Sequence, residues 1–281
     1  MLFFIKIIRS IGGILFLLSL IFVFESPLLA QNASATNLVS VSPTISQSEL
    51  TKSLDEIDEL VKAGSLLEAK SRYEALIQYD LPEAEREPLR KALGDLNIKI
   101  LFSPIETRDS LIYTVQRGDA LFKLAKRYNT TVELLKKSNQ LKSDAIRTGM
   151  KLKVSTAVYS IAVYKSKNTL ELFSNKEWLK TYSVATGREG NETPVGPVTI
   201  VNKLMNPTWY KAGAVVSPDS PDNILGTRWL GFSLSGYGIH GTTLPETIGR
   251  AASEGCIRMF NKDVEELYTI VPLNTTVKVV D

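Results

Sequence analysis

The spacing of apolar residues changes three times along this chain. From Glu49 to Ile100 they recur at the three-to-four interval of a helix. Leu50, Leu54, Ile57 and Val61 form one row, with Asp55, Glu56, Asp58 and Glu59 between them, and Gly64 stands where that helix should end. Ala69, Tyr73, Leu76 and Ile77 predict a second helix over Leu66–Tyr79, broken by Leu81–Pro82, and a third runs from about Glu83 to Ile98. From Ala157 onward the period falls to two. Val158–Tyr164 alternates, Lys165–Ser166–Lys167–Asn168 turns and Thr169–Phe173 returns, which reads as a hairpin. Lys180–Gly187, Pro197–Asn202 and Thr276–Val280 read as further strands. The one late helix is Asn261–Tyr268, with Val264, Leu267 and Tyr268 inward.

Residues 111–155 mix both periods. Tyr113–Thr114–Val115 is a short strand, Gly118–Asp119 a turn, and Leu121, Leu124, Ala125 and Tyr128 lie on one face of a helix whose start Asp119 can cap through its carboxylate. Val132–Ser138 is a second helix and Leu152–Val154 a returning strand.

The N-terminus follows a different rule. Lys6 and Arg9 flank the start of an apolar run, Ile11–Phe24, interrupted only by Gly12, Gly13 and Ser19, and Pro27–Leu28–Leu29–Ala30 offers a small-residue exit. This outlines a secretory signal. The run falls short of the ~20 residues of a spanning helix, although Leu2–Ile8 would lengthen it into an uncleaved anchor. Residues 1–30 therefore read as signal peptide or membrane anchor, and 31–47, rich in Ser, Thr, Asn and Ala, as a flexible linker.

Composition adds limits. A chain of 281 residues suits two or three domains. Its 33 basic and 30 acidic residues are too balanced for a nucleic-acid binder. The helices of Leu50–Val61 and Leu66–Tyr79 are similar to a single tetratricopeptide unit, but an isolated unit buries little core, so 48–103 is read as a helical spacer region.

The chain holds one cysteine and one histidine. In an exported protein a lone thiol forms no internal disulfide, and it is either buried and inert or reactive. One Cys and one His also exclude a Cys/His zinc site. A thiol reacts as thiolate, and its free pKa of ~8.5 leaves little at neutral pH without a base. His240 is the sole imidazole available to take the Cys256 proton. Gly255 lets the backbone approach a substrate carbonyl, and the N–H groups of Gly255 and Cys256 could stabilise an oxyanion. Arg258, two residues on, shares a side with Cys256 if the segment is extended and suits a carboxylate, a surface salt bridge being the alternative. In the long segment Met205–Phe232, Trp209–Tyr210 read either as lid or as packing, and Trp229 suits core packing at least as well as a lid.

Two resemblances sharpen this. Tyr113–Thr114–Val115–Gln116–Arg117–Gly118–Asp119–Ala120–Leu121–Phe122 and the following Leu134–Leu135, Asn139, Ile146 and Gly149 resemble a LysM module over 111–155. The resemblance implies a βααβ unit that binds the N-acetylglucosamine glycan of peptidoglycan or chitin. Its groove would lie between the Gly118–Leu121 turn and the Leu141–Ile146 loop, with Gly118, Asp119, Leu121 and Ile146 as contacts. Ala120 stands where that family usually has Thr or Ser, which removes a hydroxyl.

Ile239–His240–Gly241 and Ser253–Glu254–Gly255–Cys256–Ile257–Arg258–Met259 resemble the signature of the L,D-transpeptidase catalytic domain, over 157–281. Ala185–Thr186–Gly187, Thr193–Pro194–Val195–Gly196, Leu225–Gly226–Thr227–Arg228, Asn261 and Asp263 also fit. The resemblance implies that Cys256 is the nucleophile, that His240 is its base, and that the Gly241 carbonyl orients the imidazole. Gly255 would complete the catalytic group, with Arg258, Ser253, Trp209 and Arg228 as substrate contacts. The partners would be peptidoglycan stem peptides and glycan strands, with no metal or organic cofactor and no nucleic acid. A membrane would be involved only if the N-terminal segment stays uncleaved. The expected reaction is 3→3 cross-linking through a thioester. Trimming by water, protein attachment on the same thioester, and a non-catalytic wall-binding scaffold are the alternatives. Many members have His where this chain has Glu254. A carboxylate beside the thiol would oppose thiolate formation, so Glu254 is expected to point away from sulfur. The fold expected is multidomain α+β: a helical N-terminal region, a small βααβ module and a mainly-β catalytic domain, in an exported protein of the periplasm or cell wall.

Overall fold

In the computed structural model, residues 43–281 other than 212 are described. The expected signal and most of the expected linker lie outside the described residues. Among the described residues no helix is long and apolar enough to cross a membrane.

Three helices open this part: α1 (Gln47–Lys62), α2 (Leu66–Leu76) and α3 (Glu83–Leu101). Ser46 starts α1 with a reciprocal capping box to Glu49, which satisfies two backbone donors that a helix start leaves open. Leu50 and Ile57 of α1 meet Leu66, Ala69, Tyr73, Leu89 and Leu93 in one small core. The second helix ends three residues before the expected Tyr79, and the third continues three past Ile98.

The βααβ unit follows as β1 (Ser110–Thr114), α4 (Leu121–Arg127), α5 (Val132–Ser138) and β2 (Lys151–Ser155), its strands antiparallel with Tyr113 opposite Leu152. Leu121, Leu124, Leu135, Leu152 and Val154 fill its core.

The remainder is mainly β: β3 (Tyr159–Tyr164), β4 (Thr169–Ser174), β5 (Glu177–Gly187), β6 (Gly196–Met205), β7 (Trp209–Lys211), β8 (Ala214–Val216), β9 (Arg228–Phe232), β10 (Gly238–His240), β11 (Ala251–Ser253) and β12 (Ile257–Met259), then α6 (Asn261–Ile270) and β13 (Thr276–Val280). The large sheet runs β11-β5-β12-β10-β9-β6-β13-β3-β4, and β4 pairs back with β5, which closes it into a barrel. Closure leaves few free edges. Alternation fills the interior: Tyr159, Ile161 and Val163 from β3, Leu170 and Leu172 from β4, Val277 and Val279 from β13. The α6 helix lays Val264, Leu267, Tyr268 and Ile270 on this core. β7 and β8 form a separate hairpin, Trp209 opposite Val216.

The helical region is more than a spacer, because α3 docks on the barrel. Asn97 Nδ2 donates to Leu179 O at 2.9 Å, and the half-buried Lys180 ammonium pairs with Asp95 and Glu266, each at 2.8 Å. Arg90 pairs with Glu171 at 3.3 Å and lies 4.9 Å over the Trp178 ring. From β2, the buried Lys153 Nζ donates to Ile100 O at 3.0 Å and Ser103 O at 2.9 Å, giving carbonyls at the end of α3 a cation. Thr131 Oγ1 donates to Thr269 O, which ties the βααβ unit to α6.

Candidate active site

Barrel register sets the site. β10 runs parallel to β12 with Ile239 opposite Ile257 and His240 opposite Arg258. Cys256 sits one residue before β12. Cys256 and His240 line one cavity of about 140 Å3, together with Ser253, Glu254, Arg258 and Trp209. A larger cavity of about 280 Å3 reaches Cys256 from the side of Leu204, Pro207, Tyr210 and Trp229. Trp209, Leu225 and Gly236 line both, so β7 borders both cavities beside Cys256. Trp209 is half-buried and Tyr210 is exposed.

His240 is buried, and its Nδ1 lies 2.7 Å from Gly241 O. A carbonyl oxygen only accepts, so this contact favours the ring proton on Nδ1. Trp229 stacks on the imidazole, its ring 5.8 Å away with 20° between planes, and its Nε1 donates to Asn202 Oδ1 at 3.0 Å. Burial, helped by the Arg258 charge, pushes His240 down to about 4, against hydrogen bonds to the Gly241 and Leu225 backbones. Burial also pushes the Cys256 thiol up, opposed by the Gly238 backbone and the Arg258 charge. Cys256 Sγ lies 3.6 Å from Gly236 O. At neutral pH the resting pair is thus a thiol and a neutral imidazole.

Ser253 and Gly255 take roles other than those expected. Ser253 is fully buried; its Oγ accepts from Gly255 N at 3.1 Å and donates to Cys256 O. The Gly255 N–H is therefore committed inside the loop, which removes it from the expected oxyanion pair and leaves the Cys256 N–H. Ser253 shapes this turn rather than only facing substrate. Gly255 is required for conformation: its φ is +105°, and a Cβ there would meet the Tyr237 ring at 2.7 Å.

The two arginines part ways. Arg258 is buried in the wall of the smaller cavity, and among the described residues its Nε has no hydrogen-bond partner. It is not the exposed salt bridge of the alternative reading. Arg228 points to α6 instead: Nη1 donates to Thr227 O at 2.7 Å, lies 3.9 Å from Glu265, and the guanidinium sits 5.5 Å over the Tyr268 ring. Arg228 thus packs against α6 and lines neither of the two cavities at Cys256. Glu254 is solvent-exposed and pairs with Arg188 at 3.6 Å at the rim of the cavity.

Asn261 was matched by motif alone in the sequence. In the structure its side chain binds the backbone on both sides of the His240 segment. Only the run Gly226, Gly241, Asn261 hinted at this, through glycines where a side-chain amide must come close. Among the described residues no group of three His, Cys, Asp or Glu side chains gathers as a metal site.

The candidate glycan contacts are scattered. Asp119 does not cap α4, whose N-cap is Ala120 without a side-chain bond. Its Oδ2 accepts from Gln116 N and Tyr113 OH, both at 2.7 Å, and so staples the turn that Gly118 makes at φ +86°. Leu121 is 2% exposed and belongs to the module core, so its side chain is no sugar contact. Ile146 packs against the same core. A groove of about 800 Å3 is lined by α5, Leu141 and Asp144 together with Met205 and Thr269, and not by residues of the Gly118–Leu121 turn.

With the geometry in place, comparison with known proteins gives two family matches. Residues 158–279 match the YkuD L,D-transpeptidase catalytic domain and 113–155 the LysM domain. The chain is 36% identical over 176 residues to the YkuD protein of Bacillus licheniformis, named for an L,D-transpeptidase, covering 60% of this chain and 98% of that protein. The YkuD protein of Bacillus subtilis strain 168 is 35% identical over 175 residues, with the same coverage. Among solved structures, an L,D-transpeptidase from Mycobacterium tuberculosis aligns with TM-score 0.39 at 19% identity, over 48% of this chain and 63% of that one.

Proposed function

The chain belongs to the L,D-transpeptidase family, and on that premise we propose that it is an exported enzyme forming 3→3 cross-links in peptidoglycan through a Cys256 thioester. The observation that carries this reading is the shared cavity of the single thiol and the single imidazole.

The resting protonation states fit a proton transfer coupled to attack. Neutral His240 accepts the Cys256 proton through Nε2 as sulfur bonds to the carbonyl of the third stem residue. The Cys256 N–H faces the oxygen that becomes negative. The carbon–nitrogen bond to the terminal D-alanine then breaks, and His240 returns the proton to the leaving amine. The side-chain amine of a second stem attacks the thioester, its proton passes to His240, and the sulfur leaves and regains a proton from it.

Arg258 is the carboxylate anchor in this reading. A buried guanidinium costs free energy unless an anion joins it, and here it faces the reacting sulfur's cavity. The Trp209 and Trp229 side of Cys256 supplies the apolar wall. Residues 111–155 hold glycan near the enzyme, and residues 1–30 direct export to the periplasm or wall.

Incubation with a carbapenem followed by mass spectrometry tests the chemistry. A covalent adduct on Cys256, absent in Cys256→Ala, is the expected result; an unmodified wild-type protein rejects it. Digestion of peptidoglycan treated with the enzyme then separates the products: 3→3 dimers support cross-linking, and shortened stems alone point to trimming.

A further inference from the structure

We infer that Asn261 is a positioning residue for the imidazole, acting through the Gly241–Thr242 peptide bond. The inference rests on the proposed role of His240 as base, and goes beyond it by naming what fixes that base.

Asn261 is the first residue of α6, and its amide makes three backbone bonds. Oδ1 accepts from Thr242 N at 3.1 Å and from Thr227 N at 3.3 Å, and Nδ2 donates to Thr242 O at 3.0 Å. The Thr242 N–H belongs to the same peptide unit as the Gly241 carbonyl. That unit is planar, with its C=O and N–H on opposite edges. One edge accepts from His240 Nδ1 at 2.7 Å and the other donates to Asn261. Turning the peptide to release the imidazole would break the asparagine bond as well. Hydrogen bonds in such a chain polarise one another, so Asn261 also strengthens the carbonyl as an acceptor.

The glycines support this. A Cβ on Gly241 or on Gly226 would fall well inside contact distance of Asn261 Oδ1. Gly226 also sits at φ +64°, and Gly241 N is held by Arg228 O at 3.1 Å. Both segments lack side chains at the points where the amide enters. The ring is thereby held with its Nδ1–H on the Gly241 carbonyl.

His240 is the only histidine, so labelling the full chain with 15N-histidine gives the nitrogen signals of this one ring. The wild-type protein is expected to show a single Nδ1-protonated tautomer. In Asn261→Ala the two tautomers should mix, and carbapenem acylation should slow about 10- to 100-fold, part of the 10²–10⁴ that a positioned base supplies, with adduct identity unchanged. Should Asn261→Ala fail to fold, Asn261→Ser, whose hydroxyl reaches fewer of the three groups, carries the same comparison. A variant that keeps the single tautomer and acylates within twofold of wild type overturns the inference. A wild-type protein that resists acylation would reject the proposed chemistry and leave the tautomer result standing by itself.

Discussion

Trp229 and His240 lie almost parallel, ring centroids 5.8 Å apart and 20° between planes, as register partners on β9 and β10. The indole covers one face of the buried imidazole and keeps water from it. Removing it should move the ring back toward an ordinary histidine, because desolvation is the largest cause of its depression to about 4. In Trp229→Ala the NMR titration midpoint of His240 is expected to rise by a unit or more, about 1.4 kcal/mol. An unchanged midpoint would show that other neighbours dry the ring.

The same depression gives a signed pH dependence. With His240 at about 4 in the fold and 6.5 unfolded, the unfolded chain binds more protons between those values. Its contribution to stability is present above pH 6.5 and is lost as pH falls toward 4. The gap corresponds to roughly 3 kcal/mol. Urea unfolding of the wild-type protein should therefore lose more stability from pH 7 to pH 4 than His240→Gln does. Matching slopes would contradict this. Acylation of Cys256 should likewise keep its rate down to near pH 4, where His240 gains its proton.

The two arginines give opposite expectations. Arg258→Ala removes a buried cation from the cavity of Cys256, and Arg228→Ala removes a support of α6. The first should lower kcat/KM on a tetrapeptide stem by about 2 kcal/mol, roughly 30-fold, with little change in melting temperature. The second should lower the melting temperature and spare turnover. Steady-state kinetics beside calorimetry decides, and a reversed pattern would exchange the two roles.

These arginines also mark how far the sequence is readable. Long alternating strands such as Tyr159–Tyr164 and Thr276–Val280 carry a period that any buried sheet needs, so they were legible. β7 to β12 were not: five of these six strands have three residues, too few to display a period, and long-range pairing in the barrel makes them strands. Cys256 and His240 stood out through the motif around them, since a lone Cys and a lone His by themselves suit inert residues better. Arg228, Arg258 and Gly255 were equally plausible from spacing, and only packing separates them. Asp119 shows the same limit. A carboxylate before a helix suits a cap or a turn staple, and Tyr113 OH decides for the staple.

Lys153 reports on how the parts are joined. Its ammonium, held by Ile100 O and Ser103 O, is buried and lies at the C-terminal end of α3. Burial pushes it down to about 8. Lys153→Met keeps the stem but strands those carbonyls, at a cost of about 2 kcal/mol. Limited proteolysis should then cut faster between Phe102 and Ser110, where the chain leaves α3 for β1. Equal cleavage rates would mean that the α3–barrel contacts alone hold the junction.

Glu254 is the position where this chain departs most visibly from its motif, and its geometry limits what it can do. The carboxylate is solvent-exposed, pairs with Arg188 at 3.6 Å, and is the smallest of the causes acting on the Cys256 thiol. An exposed pair in water exerts little force on a sulfur, because screening there is strong. Glu254→Gln removes the charge and keeps the shape. The rate of carbapenem acylation at pH 7 is therefore expected to stay within about threefold of wild type, less than 1 kcal/mol. The same variant measured from pH 6 to 9 should show the thiol's alkaline limb displaced slightly downward, since one anion near the sulfur is gone. A tenfold change in either direction would instead place the carboxylate against the reacting sulfur during turnover, swung in from Arg188 when substrate binds.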